Sequence, residues 1–173
     1  MTAENKRKQY IADGKIALCE YLPEADDRDC YDCWRDGETQ YGYNYKMELT
    51  YDEYIAKPAR SRFIATIIRL EDCVCVGSIF VSPEGCEPDL AIMIYPAYRG
   101  KGIGTVAFSL GVKYCFDTLG LNYVYAGCYE GNIKSSKMLE KCGFIPHHEG
   151  NVNEKHFLTG EDIIQYDFVK YNK

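Results

Sequence analysis

The sequence predicts one α/β domain: a mixed, mostly antiparallel central sheet of about six or seven strands flanked by about four helices. Three observations carry this. Between residues 62 and 95, three β-branched runs follow one another at the spacing of an antiparallel meander. After a glycine-rich turn, Ile103, Val106, Ala107, Leu110 and Tyr114 recur at intervals of three and four, the pattern of an amphipathic helix. At 173 residues the chain has the size of one domain, so residues 1–173 are read as a single unit.

In chain order, residues 1–14 are polar and expected to fray. Ile16-Ala-Leu-Cys-Glu-Tyr-Leu22 reads as a strand ended by Pro23, and residues 24–34 as a helix whose acidic first turn suits the macrodipole. A Gly- and Tyr-rich loop follows. Thr50, with Glu53 three residues on, spells a capping box for a short helix over 51–55. Strands over 62–70, 73–81 and 89–95 are separated by Glu71-Asp72 and by Ser82-Pro-Glu-Gly85. The helix from Ile103 reaches Phe116 and Asp117 and is stopped by Gly120. Residues 123–129 form another buried strand, 134–142 a helix ended by Gly143, and 144–145, 156–158 and 163–169 the closing strands.

The charge narrows the partners. With 20 basic and 26 acidic side chains the net charge is −6, the wrong sign for a nucleic-acid backbone or an anionic membrane, and better suited to a cationic partner. No apolar run approaches the length of a membrane helix, and the first residues lead into no signal-peptide core, so the protein is expected in the cytoplasm. The nine cysteines are an odd count in a chain too large for a disulfide miniprotein, and read as reduced thiols. Cys30/Cys33 and Cys73/Cys75 are far in sequence from His147, His148 and His156, so no metal site is predicted.

The chemical signal is Pro96-Ala-Tyr-Arg-Gly-Lys-Gly-Ile-Gly-Thr105, between a buried strand and an amphipathic helix. Glycines 100, 102 and 104 bare the backbone, and the first N–H groups of the helix point outward with the positive end of its dipole: an anion cradle, suited to a pyrophosphate. Arg99 and Lys101 add charge there. A P-loop fails because no Gly-Lys-Ser or Gly-Lys-Thr closes the turn. A dinucleotide fingerprint comes closer, since Gly102-Ile-Gly104-Thr-Val-Ala107 satisfies G-x-G-x-x-A and Glu130 follows the next strand. Position argues against it, because residues 96–101 intervene between the strand and the first glycine of that pattern, and too little chain remains for a second half.

Arg99-Gly-Lys-Gly102-Ile-Gly104 resembles the coenzyme A signature R/Q-x-x-G-x-G/A of the GNAT acetyltransferases, and the order of elements is similar to that family's over essentially the whole chain. Asn132-Ile-Lys-Ser135 and Leu139-Glu-Lys-Cys-Gly-Phe144 resemble its second motif. Ser135 and the His156-Phe-Leu-Thr-Gly160 stretch most resemble the branch containing ribosomal-protein N-terminal acetyltransferases.

The resemblance implies acetyl-CoA as co-substrate and direct attack by an amine. It places the pyrophosphate on Arg99, Gly100, Lys101, Gly102, Ile103, Gly104 and Thr105, the pantetheine arm along Ile92, Met93 and Ile94, and Asn132 and Ser135 beside the cofactor. Asp89 matches a catalytic carboxylate of some relatives, with Glu87 close behind. The tyrosine that many members use as acid is Leu139 here, which leaves Ser135 as the donor to the sulfur and Tyr129 as the second candidate. Trp34, Tyr41, Tyr43 and Tyr129 would meet the acceptor, a small-molecule amine or a protein N-terminus. Homodimers are common in the family. Two other readings stay open: a non-catalytic acyl-CoA-binding or regulatory module, which Leu139 keeps alive, and a nicotinamide-binding oxidoreductase.

Overall fold

Two antiparallel sheets meet at a single point, and that junction organises the molecule. The computed structural model describes residues 7–57 and 60–173. The first sheet has the order β1 (Gln9–Ala12), β2 (Ile16–Glu20), β3 (Phe63–Arg69), β4 (Val74–Val81), β5 (Leu90–Ile94), each antiparallel to its neighbour. In the second, β6 (Tyr123–Tyr129) pairs along one edge of β9 (Asp162–Tyr171), while β7 (Ile145–Pro146) and β8 (Val152–Lys155) share the other edge. Asp89 and Tyr125 form the parallel bridge between the sheets, where the Tyr125 N–H donates to Pro88 at 2.8 Å.

Helix α4 (Ile103–Asp117) covers one face of this frame, burying Ile103, Ala107, Phe108 and Leu110 against β2, β4 and β5 in the main core. On the opposite face, α1 (Pro23–Arg35) and α2 (Gly37–Tyr43) place Cys30, Cys33, Trp34 and Tyr43 over Met93 and Tyr95. Helix α3 (Tyr51–Ile55) has both halves of its predicted capping box, Thr50 accepting from Glu53 and Glu53 from Thr50, and sets Tyr51 and Tyr54 against Tyr31 of α1. Helix α5 (Ile133–Lys141) returns beside α4.

The mixed α/β class stands, with three local corrections. The expectation that residues 1–14 fray does not hold from Arg7 onward; residues 1–6 lie outside the described residues. Residues 9–12 pair with β2, and the Arg7 guanidinium reaches the Asp26 carboxylate, 2.9 Å through Nη2. Asp26, 1% exposed, also accepts from Thr66 Oγ1 (2.7 Å) and from the Leu22 N–H (2.8 Å), so this buried charge has a full set of donors. Within the expected Gly- and Tyr-rich loop, Asp36 caps α2 by accepting from the Thr39 N–H at 3.0 Å; Gly37 and Gly42 hide that helix because glycine is a poor helix former. The strand expected at 156–158 lies instead at 152–155. His156 Nδ1 accepts from the N–H groups of Leu158 and Thr159, closing a turn that glycine at 160 (φ 70°) completes.

Asp26→Ala should destabilise the fold by about 3–5 kcal/mol, because it strands a buried guanidinium. Urea unfolding followed by tryptophan fluorescence measures it; a loss below about 1 kcal/mol would show the pair to be dispensable.

Candidate active site

Beyond the Asp89/Tyr125 bridge, β5 and β6 separate, and the gap opens into a cleft of about 1070 Å³. Along β5, residues 89, 91, 93 and 95 turn their backbone groups to β4, while residues 90, 92 and 94 turn theirs to the open edge. The two edge carbonyls in the gap are occupied: the Tyr43 hydroxyl donates to Ile92 at 2.6 Å, and Arg99 Nε to Ile94 at 2.9 Å. The N–H groups of Ile92 and Ile94 share that edge, where a partner of extended shape would meet them as a strand does. Met93 is different. Its backbone belongs to the β4 pairing and its side chain is buried under α1 and α2.

At one end of the cleft, the turn that begins with a short 3-10 segment (Pro96–Tyr98) passes through Gly100 (φ 73°) and Gly102 (φ 77°), a conformation side chains disfavour. Gly102 is the N-cap of α4 and brings no capping side chain; the first intrahelical bond runs from the Val106 N–H to its carbonyl, 3.4 Å. The N–H groups of Ile103, Gly104 and Thr105 therefore have no intrahelical acceptor and carry the positive end of a 15-residue helix. A Cβ at Gly104 would sit 3.6 Å from Ile94 Cγ1 and 3.7 Å from Met138 Sδ, ordinary contacts. Protein packing thus leaves room there, and the bare N–H groups fit an anion.

Both basic side chains of the turn bond to the protein, and Arg99 also lines the cleft. The Arg99 guanidinium turns to the start of α2, with Nη1 2.7 Å from Asp36 and Nη2 2.6 Å from Thr39 Oγ1. Lys101 donates to the Ala97 carbonyl at 3.1 Å and lies over the Tyr98 ring, away from the cleft wall. Positive charge along the cleft comes also from Lys134, Lys137 and Lys141, one face of α5 that the sequence shows as a spacing of three and four; Lys134 reaches Glu38 on the facing wall at 2.8 Å.

At the other end stand Asp89, Trp34, Tyr43, Tyr129 and Gln165. Burial pushes the Asp89 carboxyl up to about 6, and the nearby charge of Asp167 adds to it. Burial likewise pushes up the Tyr43 phenol, with Asp89 contributing. Tyr129 donates to Glu154 at 2.8 Å, and burial together with that carboxylate pushes its phenol to about 12. Ser135 lies in the first turn of α5, its N–H capped by Asn132 Oδ1 at 3.2 Å, and both residues line the cleft. Tyr41 lines its outer wall, 53% exposed. Glu87 points elsewhere: it is exposed and accepts from the Tyr123 hydroxyl at 2.9 Å. Leu139 is buried at 1% exposure. Gln165 and Glu154 carry no sequence signal: Gln165 is one polar residue in a partly apolar strand, and Glu154 one of three consecutive polar residues in β8.

The fold has known counterparts. Residues 18–145 match the family model described as acetyltransferase (GNAT) domain. The chain belongs to the GNAT acetyltransferase family. It is similar to spermidine N(1)-acetyltransferase of Escherichia coli (strain K12), 28% identical over 121 residues covering 69% of this chain and 63% of that protein. It thus spans less than two thirds of the curated relative it matches. A ribosomal N-acetyltransferase-like protein of Bacillus subtilis, YdaF, is 30% identical over 86 residues, 49% of this chain and 46% of that one. The structure of spermidine N-acetyltransferase from Vibrio cholerae in complex with CoA and spermine superposes with a TM-score of 0.78 at 17% identity, covering 92% of this chain and 96% of that one. Among the described residues no helix is long and apolar enough to cross a membrane.

Two stability measurements test this geometry. Arg99→Ala should lose about 1–3 kcal/mol in urea unfolding, because it uncaps the Ile94 carbonyl and releases Asp36; no change would return the guanidinium to the cleft. Asp89 holds its proton more tightly folded than unfolded, so its contribution to stability is present below pH 3.8 and lost as pH rises through about 6. Asp89→Asn should therefore unfold at higher urea than the parent at pH 7.5, by about 1–2 kcal/mol, with the advantage shrinking toward pH 4. An advantage independent of pH would contradict the buried charge.

Proposed function

We propose that the chain transfers the acetyl group of acetyl-CoA to a primary amine, of a small molecule or a protein N-terminus, by direct attack in a ternary complex. The observation that carries this is the splay of β5 from β6, which joins a bare helix N-terminus at one end to a half-buried carboxylate at the other. Bound acetyl-CoA supplies an activated acetyl group as a thioester. The N–H groups of residues 103–105 hold its pyrophosphate, and the edge N–H groups of Ile92 and Ile94 align its extended arm. One of those N–H groups faces the carbonyl oxygen as charge builds there, a contribution worth about 10²–10³ in rate where such a donor has been removed.

An ammonium is not a nucleophile, so a base must remove its proton. Asp89 performs this step; above about pH 6 it is ionised, and its burial makes it a stronger base than an exposed carboxylate. Ser135, whose hydroxyl has no protein acceptor among the described residues, donates to the departing sulfur. Tyr129 suits this less well, because Glu154 already holds its proton. Trp34, Tyr41 and Tyr43 form the acceptor wall, and a net charge of −6 favours a cationic acceptor over a nucleic acid. All nine thiols are free, which fits the reducing cytoplasm.

Calorimetric titration with acetyl-CoA should saturate, with no response to NAD. Gly104→Val should bind at least about tenfold more weakly while still unfolding cooperatively, since its branched side chain stands over the bare N–H groups. If Gly104→Val binds as the parent does, the cradle is misplaced. With a panel of amines, thiol release should rise with pH to a plateau with midpoint near 6; Asp89→Asn should lower the plateau by about 10²–10⁴ and remove the rise. Binding without thiol release across the panel would favour the non-catalytic reading.

A further inference from the structure

Several polar side chains at the acceptor end of the cleft are already bonded to the protein. The Tyr43 hydroxyl is held by Ile92, and the Tyr129 hydroxyl by Glu154, which also accepts from Asn44 Nδ2 at 3.3 Å. Gln165 is different. It lines the cleft, its carboxamide makes no hydrogen bond among the described residues, and neither amide atom is a buried orphan, so a ligand in the cleft reaches it. Strand β9 holds the residue from both sides, since Gln165 pairs with Tyr129 of β6 and with Val152 of β8. A bare amide on a fixed strand offers one group that donates and one that accepts.

Gly127 decides where that amide lies. Residues 125, 127 and 129 share one face of β6, and Asp89 shares it through the bridge to Tyr125. A Cβ at Gly127 would lie 2.9 Å from Gln165 Nε2 and 3.4 Å from its Cδ, so the side chain bends from its own level, beside Tyr129, back over the bare glycine. Gly127 is two residues past the bridge, which sets the amide about 7 Å along the strand from the level of Asp89. An amine and an amide carried on one carbon, with a hydrogen bond of about 2.9 Å at each end, span that distance. A polyamine matches it poorly. Asp89 is the one carboxylate lining this end among the described residues, Glu38 being held by Lys134, and a hydrocarbon chain beside Gln165 would leave the amide without a partner.

We propose that Gln165 is a specificity-determining residue for the acceptor: its carboxamide, laid over Gly127, bonds an amide next to the reacting amine, so the acceptor is an amino-acid amide or the first residue of a peptide rather than an alkyl polyamine. This rests on the reading of the cleft as a site of acetyl transfer to an amine at Asp89. Gln165 takes no part in the proton transfer. It selects by hydrogen bonding, and a site built that way rejects an analogue lacking the matching group more sharply than an apolar wall does, because the protein's own amide is then left unpaired.

The test compares thiol release from acetyl-CoA between amino-acid amides and alkylamines of the same shape, glycinamide against isobutylamine for one pair, with kcat/KM expressed per free amine. The parent should favour the amide of each pair by about tenfold or more. Gln165→Met, which keeps the length and removes both bonding atoms, should abolish that preference through a higher KM for the amide, with the alkylamine unchanged. Gly127→Ala, whose methyl group displaces the carboxamide without deleting it, should weaken the preference in the same direction. Equal losses for both members of a pair in Gln165→Met would show a packing role and overturn the assignment. So would a parent that prefers spermidine to every amino-acid amide, using the acids Glu130 and Glu161 in the pocket beyond Tyr41. Binding of acetyl-CoA with no thiol release from the parent for any amine overturns the transfer reading instead, and the role of Gln165 with it. Where Gln165→Met fails to fold, Gly127→Ala decides by the same ratio.

Discussion

The junction of the two sheets at Asp89 and Tyr125 is the constraint from which the rest of the site follows. A continuous β5/β6 pair would satisfy every edge group and leave no cleft. A complete separation would expose an unpaired strand to aggregation. One bridge, then divergence, gives a short open edge inside the protein, and buried backbone polar groups require partners. Tyr43 and Arg99 supply them for the Ile92 and Ile94 carbonyls. The donors on the same edge face the cleft, and a ligand lying along β5 would complete the sheet.

The same constraint explains the unexpected role of Arg99. Its guanidinium joins the glycine turn, the β5 edge and the α2 cap in one unit, with bonds to Ile94, Asp36 and Thr39. The turn and the acceptor wall thereby keep a fixed relation. The helix start keeps its backbone N–H groups bare, and such groups are rigid and would lose no side-chain entropy on meeting an anion.

How much of this was legible in the sequence depends on whether the signal was local. The meander, the capping box at Thr50 and Glu53, the glycine turn and the long helix after it all announce themselves within a few residues, and all are present. So is the clustering of Asp89, Asn132, Ser135, Trp34, Tyr41 and Tyr43 around one cleft, because the family motifs fix the order of elements. What escaped is set by tertiary contact. Strand β1 is short and polar at one end, and stands because Asp26, far along the chain, anchors the arginine before it. Helix α2 is hidden by two glycines. Arg99 and Lys101 are adjacent to the cradle in sequence, and only the path of α2 shows that the Arg99 guanidinium bonds Asp36 and Thr39. Gln165, Glu154 and Asp167 enter through the pairing of β9 with β6 and β8, and no local pattern marks them.

A single register along residues 88–95 ties these parts together. Two alternations of period two run in step: residues whose backbone faces the open edge turn their side chains to α4, and residues bonded to β4 turn theirs to the acceptor side. Hence Leu90, Ile92 and Ile94 serve the core with their side chains and the cleft with their backbones, while Asp89 presents its carboxylate to the chamber. A slip of one residue would reverse every assignment, moving the carboxylate into the α4 core and the edge donors into the β4 pairing. Pro88 guards against that slip. It has no N–H to leave unpaired, its carbonyl alone meets the Tyr125 N–H, and Ser82 fixes the next residue from the other side through its hydroxyl and N–H. The proline that interrupts the sequence between two acidic residues is therefore what separates their roles, sending Glu87 out to Tyr123 and Asp89 inward to the cleft.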